Sequence, residues 1–210
     1  YISEYEEIYK TAKESEKKVE LEILTKRITP NKMQAEALEN LEALRKDGKE
    51  KALIISATGT GKTFLSAFDV ERAKSKKMLF VVHRLNIAKK AMESFKKVFG
   101  KSKSFGLYSG DKRDVNADFI FSTIQTLSKE GHLSKFEKAH FDYIIIDESH
   151  RTGADSYLRL MQYFEPKFLL GMTATPERTD GYDIFSLFDH NIAYEIRLNK
   201  AMEEDMLCQF

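Results

Sequence analysis

The segment Ser56-Ala57-Thr58-Gly59-Thr60-Gly61-Lys62-Thr63 sets two glycines, a lysine and a hydroxyl in close succession, and Ile144-Ile145-Ile146-Asp147-Glu148-Ser149-His150 ends an apolar run on two adjacent carboxylates. Each pattern has a chemical use. Gly59 and Gly61 allow backbone N–H groups to curl around phosphate oxygens where a Cβ would clash, and a following helix adds its positive N-terminus. Lys62 supplies a cation for the β- and γ-phosphates of a nucleoside triphosphate, and the Thr63 hydroxyl supplies a ligand for Mg²⁺. Ala57, Thr58 and Thr60 complete the cradle. A general loop of this kind starts on glycine, so Ser56 is a departure, placed where a strand becomes a loop. A triphosphate site also needs a carboxylate from a second strand. Asp147 suits the metal and Glu148 suits polarising an attacking water, at the strand edge where open α/β sheets bind ligands. Taken alone, Asp-Glu after a strand equally suits a helix N-cap with an acidic first turn. His150 takes a supporting role.

These residues need strands and helices to hold them. Short apolar runs at 52–56, 78–82, 104–108, 118–122, 143–147 and 168–172 alternate with helical patterns near 62–74, 85–99, 124–130 and 155–164. Runs that are apolar on both faces predict a mostly parallel sheet covered by helices on both sides, an α/β fold. Ahead of the first strand, Thr29-Pro30 reads as a cap with proline in the first turn, opening a helix on Met33, Ala37, Leu38, Leu41 and Leu44 that stops at Asp47-Gly48. The densely charged residues 3–20 predict an amphipathic leading helix, so 1–26 reads as leading helix and linker. The polar stretch 109–117 reads as a surface loop.

The bulk composition sets outer bounds. With 210 residues and 42% hydrophobic content the chain is large enough to bury a full core. No apolar run is long enough to span a bilayer, which leaves no membrane role to argue for. Cys208 is the only cysteine, which excludes an internal disulfide and any site built on paired cysteines. A reducing, cytoplasmic location follows as the default. The net charge of +1 gives no overall attraction to nucleic acid, so any such surface must be local.

The sequence SATGTGKT, then DESH, then Thr173-Ala174-Thr175-Pro176 after another apolar strand resembles motifs I, II and III of superfamily 2 DEAD/DEAH-like helicases and translocases. The likeness covers nearly the whole chain, and the tail from Thr173 to Leu198 is most similar to restriction-enzyme res subunits. The resemblance implies a P-loop NTPase domain of RecA-like fold over residues 27–210, using ATP and Mg²⁺. It implies that Gln34 reads the adenine edge, and that Val82-His83-Arg84-Leu85 and Ser122-Thr123-Ile124-Gln125-Thr126-Leu127 follow a nucleic-acid backbone. His83, Arg84, Thr123 and Gln125 would then contact phosphates, which positions a nucleic acid without reading its sequence. Without the likeness, His83-Arg84 reads as a solvated turn after a strand. Thr173 and Thr175, with His150, would couple the nucleotide site to nucleic acid through hydrogen bonds to motif II.

Such motors need a second RecA-like lobe that carries arginines to the γ-phosphate. Residues 178–210 read as the start of the crossing toward it, as a helix, a short strand and another helix. The expectation is therefore the ATP-binding lobe of an ATP-dependent helicase or translocase acting on double-stranded DNA. An RNA helicase lobe and a non-catalytic ATP-binding scaffold stay open as alternatives.

Overall fold

The computed structural model describes residues 28–57, 59–149, 155–175 and 183–196. The expected leading helix and residues 197–210 lie outside them. The first helix, α1 (Lys32–Lys46), starts two residues later than Thr29-Pro30 suggests. Asn31 is its cap: Asn31 Oδ1 accepts the Gln34 N–H at 2.8 Å, and Gln34 Oε1 accepts the Asn31 N–H at 3.0 Å. This reciprocal pair satisfies two N-terminal donors, which Thr29 stands too far back to do. The helix ends as expected at Asp47, with Gly48 in the left-handed region at φ 74°.

The sequence then alternates strands with helices: β1 (Lys51–Ser56), α2 (Lys62–Arg72), β2 (Met78–Val82), α3 (Leu85–Phe99), β3 (Phe105–Ser109) and β4 (Lys112–Arg113). After these come β5 (Phe119–Thr123), α4 (Ile124–Leu127), β6 (Tyr143–Asp147), α5 (Asp155–Tyr163), β7 (Phe168–Thr173), α6 (Ile184–Leu187) and β8 (Ile192–Ile196). All eight strands join one sheet in the order β4-β3-β5-β2-β6-β7-β1-β8. Every pairing is parallel except β3 with β4, where Tyr108 faces Arg113 and Ser109 faces Lys112. The stretch expected as a loop at 109–117 thus opens as a tight hairpin. Gly110 at φ 61° makes the reversal possible.

Alternation along each strand divides the core into two layers. Ala52 and Ile54 of β1, Phe80 of β2, and Tyr143 and Ile145 of β6 face α1, α2 and α3. Leu53, Ile55, Leu79, Val81, Ile144 and Ile146 face the opposite layer of α4, α5 and α6. In that second layer Gly171 replaces a large side chain because the Phe188 ring occupies its space; a Cβ there would stand 2.4 Å from the ring. Phe188 thereby seats the segment leading to β8, and β8 extends the sheet beside β1.

One charge cluster, centred on the buried Asp69, ties the helices to the sheet on the α1–α2–α3 side, at the end away from the glycine loop. Arg45 donates twice to Asp69, at 2.7 Å each, and Tyr143 also donates to Asp69. Asp69 is fully buried, and the Arg45 guanidinium lies 5.0 Å from the centre of the Phe168 ring. The cluster links α1, α2, β6 and β7. No helix among the described residues is long and apolar enough to cross a membrane.

Candidate active site

The carboxyl ends of β6, β7 and β1 lie side by side: Asp147 pairs with Met172, and Ile55 pairs with Thr173. This order gathers stretches far apart in sequence onto one edge. Beyond β1 the chain turns through Gly59 at φ 86° and Gly61 at φ 79°, and Gly61 caps α2. A side chain at Gly61 would be doubly opposed, since its Cβ would stand 2.7 Å from Gln34 Nε2. Ser56, the departure from a glycine start, is fully buried and acts as a brace. Thr60 Oγ1 donates to the Ala57 carbonyl at 2.8 Å, which leaves the Ser56 hydroxyl to donate to Thr60 Oγ1 at 2.7 Å. Lys62 Nζ bends over the loop to the carbonyls of Ser56 at 2.6 Å and Ala57 at 2.8 Å. Burial pulls the Lys62 pKa down, while the charges of Asp147 and Glu148 push it up. Thr58 lies outside the described residues.

Across from the loop, Asp147 Oδ1 accepts the Glu148 N–H at 2.9 Å. Burial is the main influence on the Asp147 carboxyl and raises its pKa, against the pull of that N–H and of Lys62. A buried carboxylate with a raised pKa gains most from an arriving cation. Glu148 holds a left-handed backbone at φ 55°, uncommon for a side-chain-bearing residue. Ser149 is fully buried, and its hydroxyl donates to the Met172 carbonyl at 3.1 Å. That bond fastens the carboxylate turn to β7, a role sequence reasoning missed; the available signal was a small hydroxyl residue directly after the acidic pair.

Lys62, Thr63, Asp147 and Glu148 line one cavity of about 590 Å³ together with Gly59 and Gly61. Thr173 and Thr175 line it too. Thr173 Oγ1 accepts the Thr175 N–H at 3.2 Å and lies 3.1 Å from the Thr175 carbonyl, so the two threonines brace one turn. His150 lies outside the described residues. A second cavity of about 640 Å³ opens beside Glu50, Phe164 and Leu187, and contains none of the phosphate-loop or paired-carboxylate groups. Among the described residues no three His, Cys, Asp or Glu side chains cluster to hold a metal.

Gln34 is buried, and its amide is committed within the chain, accepting from Asn31 and donating from Nε2 to the Gly61 carbonyl at 3.2 Å. It links the cap of α1 to the last glycine of the loop. The four residues expected to follow a nucleic acid are divided. Arg84, the cap residue of α3, and Gln125, in the first turn of α4, are exposed. Thr123 is buried, its hydroxyl 3.0 Å from Ser109 Oγ and 2.9 Å from Thr126 Oγ1. That triad closes the ends of β3 and β5, so the Thr123 side chain supports the surface from beneath. His83 is partly buried, with Nδ1 3.6 Å from Glu148 Oε2.

Residues 27–178 match the family model described as "Type III restriction enzyme, res subunit". IRC3 of Saccharomyces cerevisiae, assigned as an ATP-dependent helicase, is 30% identical over 182 residues, covering 78% of this chain and 26% of that protein. Solved structures share the fold, the following two among them. The Type ISP restriction-modification enzyme LlaGI, a nuclease-deletion mutant in complex with a DNA substrate mimic, matches with a TM-score of 0.66 at 18% identity, over 85% of this chain and 21% of that one. The Sulfolobus solfataricus SWI2/SNF2 ATPase core in complex with dsDNA matches with a TM-score of 0.63 at 18% identity, over 77% and 35%. The chain spans about a quarter of the length of the curated relatives it matches.

Proposed function

Because the chain belongs to the type III restriction enzyme res-subunit family, we propose that it is the ATP-binding motor lobe of an ATP-dependent DNA translocase or helicase. One observation carries this reading: a lysine and hydroxyl on a glycine loop share a cavity with two carboxylates from another strand. The loop N–H groups and the start of α2 suit the phosphates, and Lys62 is within reach to leave its backbone carbonyls for the β/γ oxygens. Glu148 takes the proton of the attacking water. The water oxygen bonds to the γ-phosphorus as the bond to the β–γ bridging oxygen breaks, and ADP leaves with that electron pair.

Thr63 and Asp147 offer Mg²⁺ the hard oxygen donors it prefers, with its remaining positions left to phosphate and water. When bound, that ion would neutralise charge building on the phosphates. Gln34, committed to Asn31 and Gly61, would meet the adenine only by exchanging one of those bonds.

The nucleic acid would lie over the exposed Arg84 and Gln125, with His83 at their edge. Double-stranded DNA is the proposed partner. The tail resembles restriction-type translocases, and the fold is shared with enzymes solved on DNA. A second RecA-like lobe would bring arginines across the cavity, each worth ~10³–10⁵ in rate where such a residue is supplied in related phosphoryl transfers. Stimulation of ATPase by duplex DNA, single-stranded DNA and RNA, compared in the protein carrying both lobes, tests the reading. The largest stimulation is expected with duplex. Stimulation by RNA alone would redirect the assignment to an RNA helicase, and none by any of the three would overturn it.

A further inference from the structure

Sheet order sets two residues from different motifs face to face. β2 and β6 are neighbours, and Val81 pairs with Ile146. Two residues further along from each, just past both strand ends, His83 stands near Glu148. The imidazole Nδ1 reaches 3.6 Å from Glu148 Oε2, just outside hydrogen-bond length. Nδ1 is also shut off from solvent and has no hydrogen-bond partner, a state that buried polar atoms rarely keep. A shift of roughly 0.8 Å would bring the pair to ordinary N–H···O⁻ length.

The other side of His83 leads to the surface. The next residue is the exposed Arg84, and Val82 pairs with Thr123, whose chain runs on to the exposed Gln125. The imidazole therefore stands between a carboxylate of the cavity and the outer face of the sheet edge. The left-handed backbone at Glu148 aims that carboxylate from a conformation that few residues adopt, so its direction depends on what holds it.

We propose that His83 is a positioning residue for Glu148, coupling nucleic-acid binding to hydrolysis. With the outer face empty, Nδ1–H is free to close the 3.6 Å gap and hold the carboxylate toward β2. A phosphate backbone seated over Arg84 and Gln125 draws the imidazole away and releases Glu148 to the water at the γ-phosphate. This rests on the reading of Glu148 as the group that activates water.

The test is His83→Ala in the protein carrying both lobes, with ATPase measured with and without saturating duplex DNA. The basal rate should rise severalfold and the ratio of stimulated to basal rate should fall toward one, with nucleotide affinity and thermal midpoint reporting an intact fold. His83→Asn, whose Nδ2 takes the place of Nδ1, should restore both the low basal rate and the ratio. A wild-type ratio in His83→Ala, or an asparagine variant as defective as alanine, would overturn the proposal. If His83→Ala does not fold, His83→Asn against His83→Gln gives the same comparison, with only asparagine expected to keep the ratio. Glu148→Gln separates the two levels of the argument. Turnover retained in that variant defeats the reading of Glu148 itself, whereas its loss beside normal coupling in His83→Ala defeats only the role of His83.

Discussion

Asp147 shows the conflict between stability and use at the scale of one residue. Its pKa is raised above the ordinary carboxylate value, so the folded chain holds that proton more tightly than the unfolded chain. Stability from this group therefore falls as pH rises through that window, and its ionised form is a cost at neutral pH. Asp147→Asn should raise the thermal midpoint of the nucleotide-free chain by a few degrees and weaken Mg²⁺-dependent nucleotide binding at least severalfold; a lower midpoint would contradict the burial argument. Gly61 gives the opposite case. Its φ of 79° and the 2.7 Å approach of Gln34 Nε2 imply that Gly61→Ala costs ~1–3 kcal/mol in urea unfolding and disturbs the loop. That Lys62, Thr63, Asp147 and Glu148 would meet in one cavity was legible, because lysine after glycine and paired acids after isoleucines have few other uses together. Ser149 and the His83 contact were not, since both depend on which strand lies beside β6. The N-x-x-Q spacing of Asn31 and Gln34 does mark a helix start in sequence, two residues on from a Thr-Pro pair that suits one as well.

At the scale of elements, the Arg45–Asp69–Tyr143 cluster should matter more for stability than its small size suggests. Asp69→Ala would leave the partly buried Arg45 guanidinium and the buried Tyr143 hydroxyl without their acceptor, at a cost of about 3 kcal/mol, measurable as a shift in the urea midpoint. The same change replacing all three residues with apolar side chains should cost less. Gly171→Ala should destabilise by about 1–3 kcal/mol through collision with Phe188. Phe188→Leu should recover part of that loss in a double-mutant cycle; simple additivity would show that β7 and the α6–β8 segment are not packed as described. The six sheltered strands were visible in sequence because both of their faces are apolar. β4 was hidden because it is only two residues long and both are exposed and basic. The strand order was hidden for a different reason: β5, β6 and β7 are inserted between earlier strands, and no local pattern records an insertion.

For the molecule as a whole, one sheet edge carries both the proposed phosphate site at the ends of β6, β7 and β1 and the exposed Arg84 and Gln125 just beyond β2 and β5. A motor needs these two functions coupled, and adjacent strands make the path short. Under the proposed function, this chain alone should bind nucleotide but turn it over ~10³-fold or more slowly than when joined to the proposed second lobe. DNA binding through Arg84 and its neighbours should weaken with salt, as phosphate contacts do. The central claim is that Lys62, Asp147 and Glu148 form the hydrolytic site of a nucleic-acid-driven ATPase. The most direct measurement is ATP turnover with and without duplex DNA in the two-lobe protein, comparing wild type with Glu148→Gln. The account predicts DNA-stimulated turnover in the wild type, and nucleotide binding without turnover, at least ~10²-fold down, in the variant. Equal turnover in the two proteins, or a wild-type rate indifferent to every nucleic acid, would contradict it.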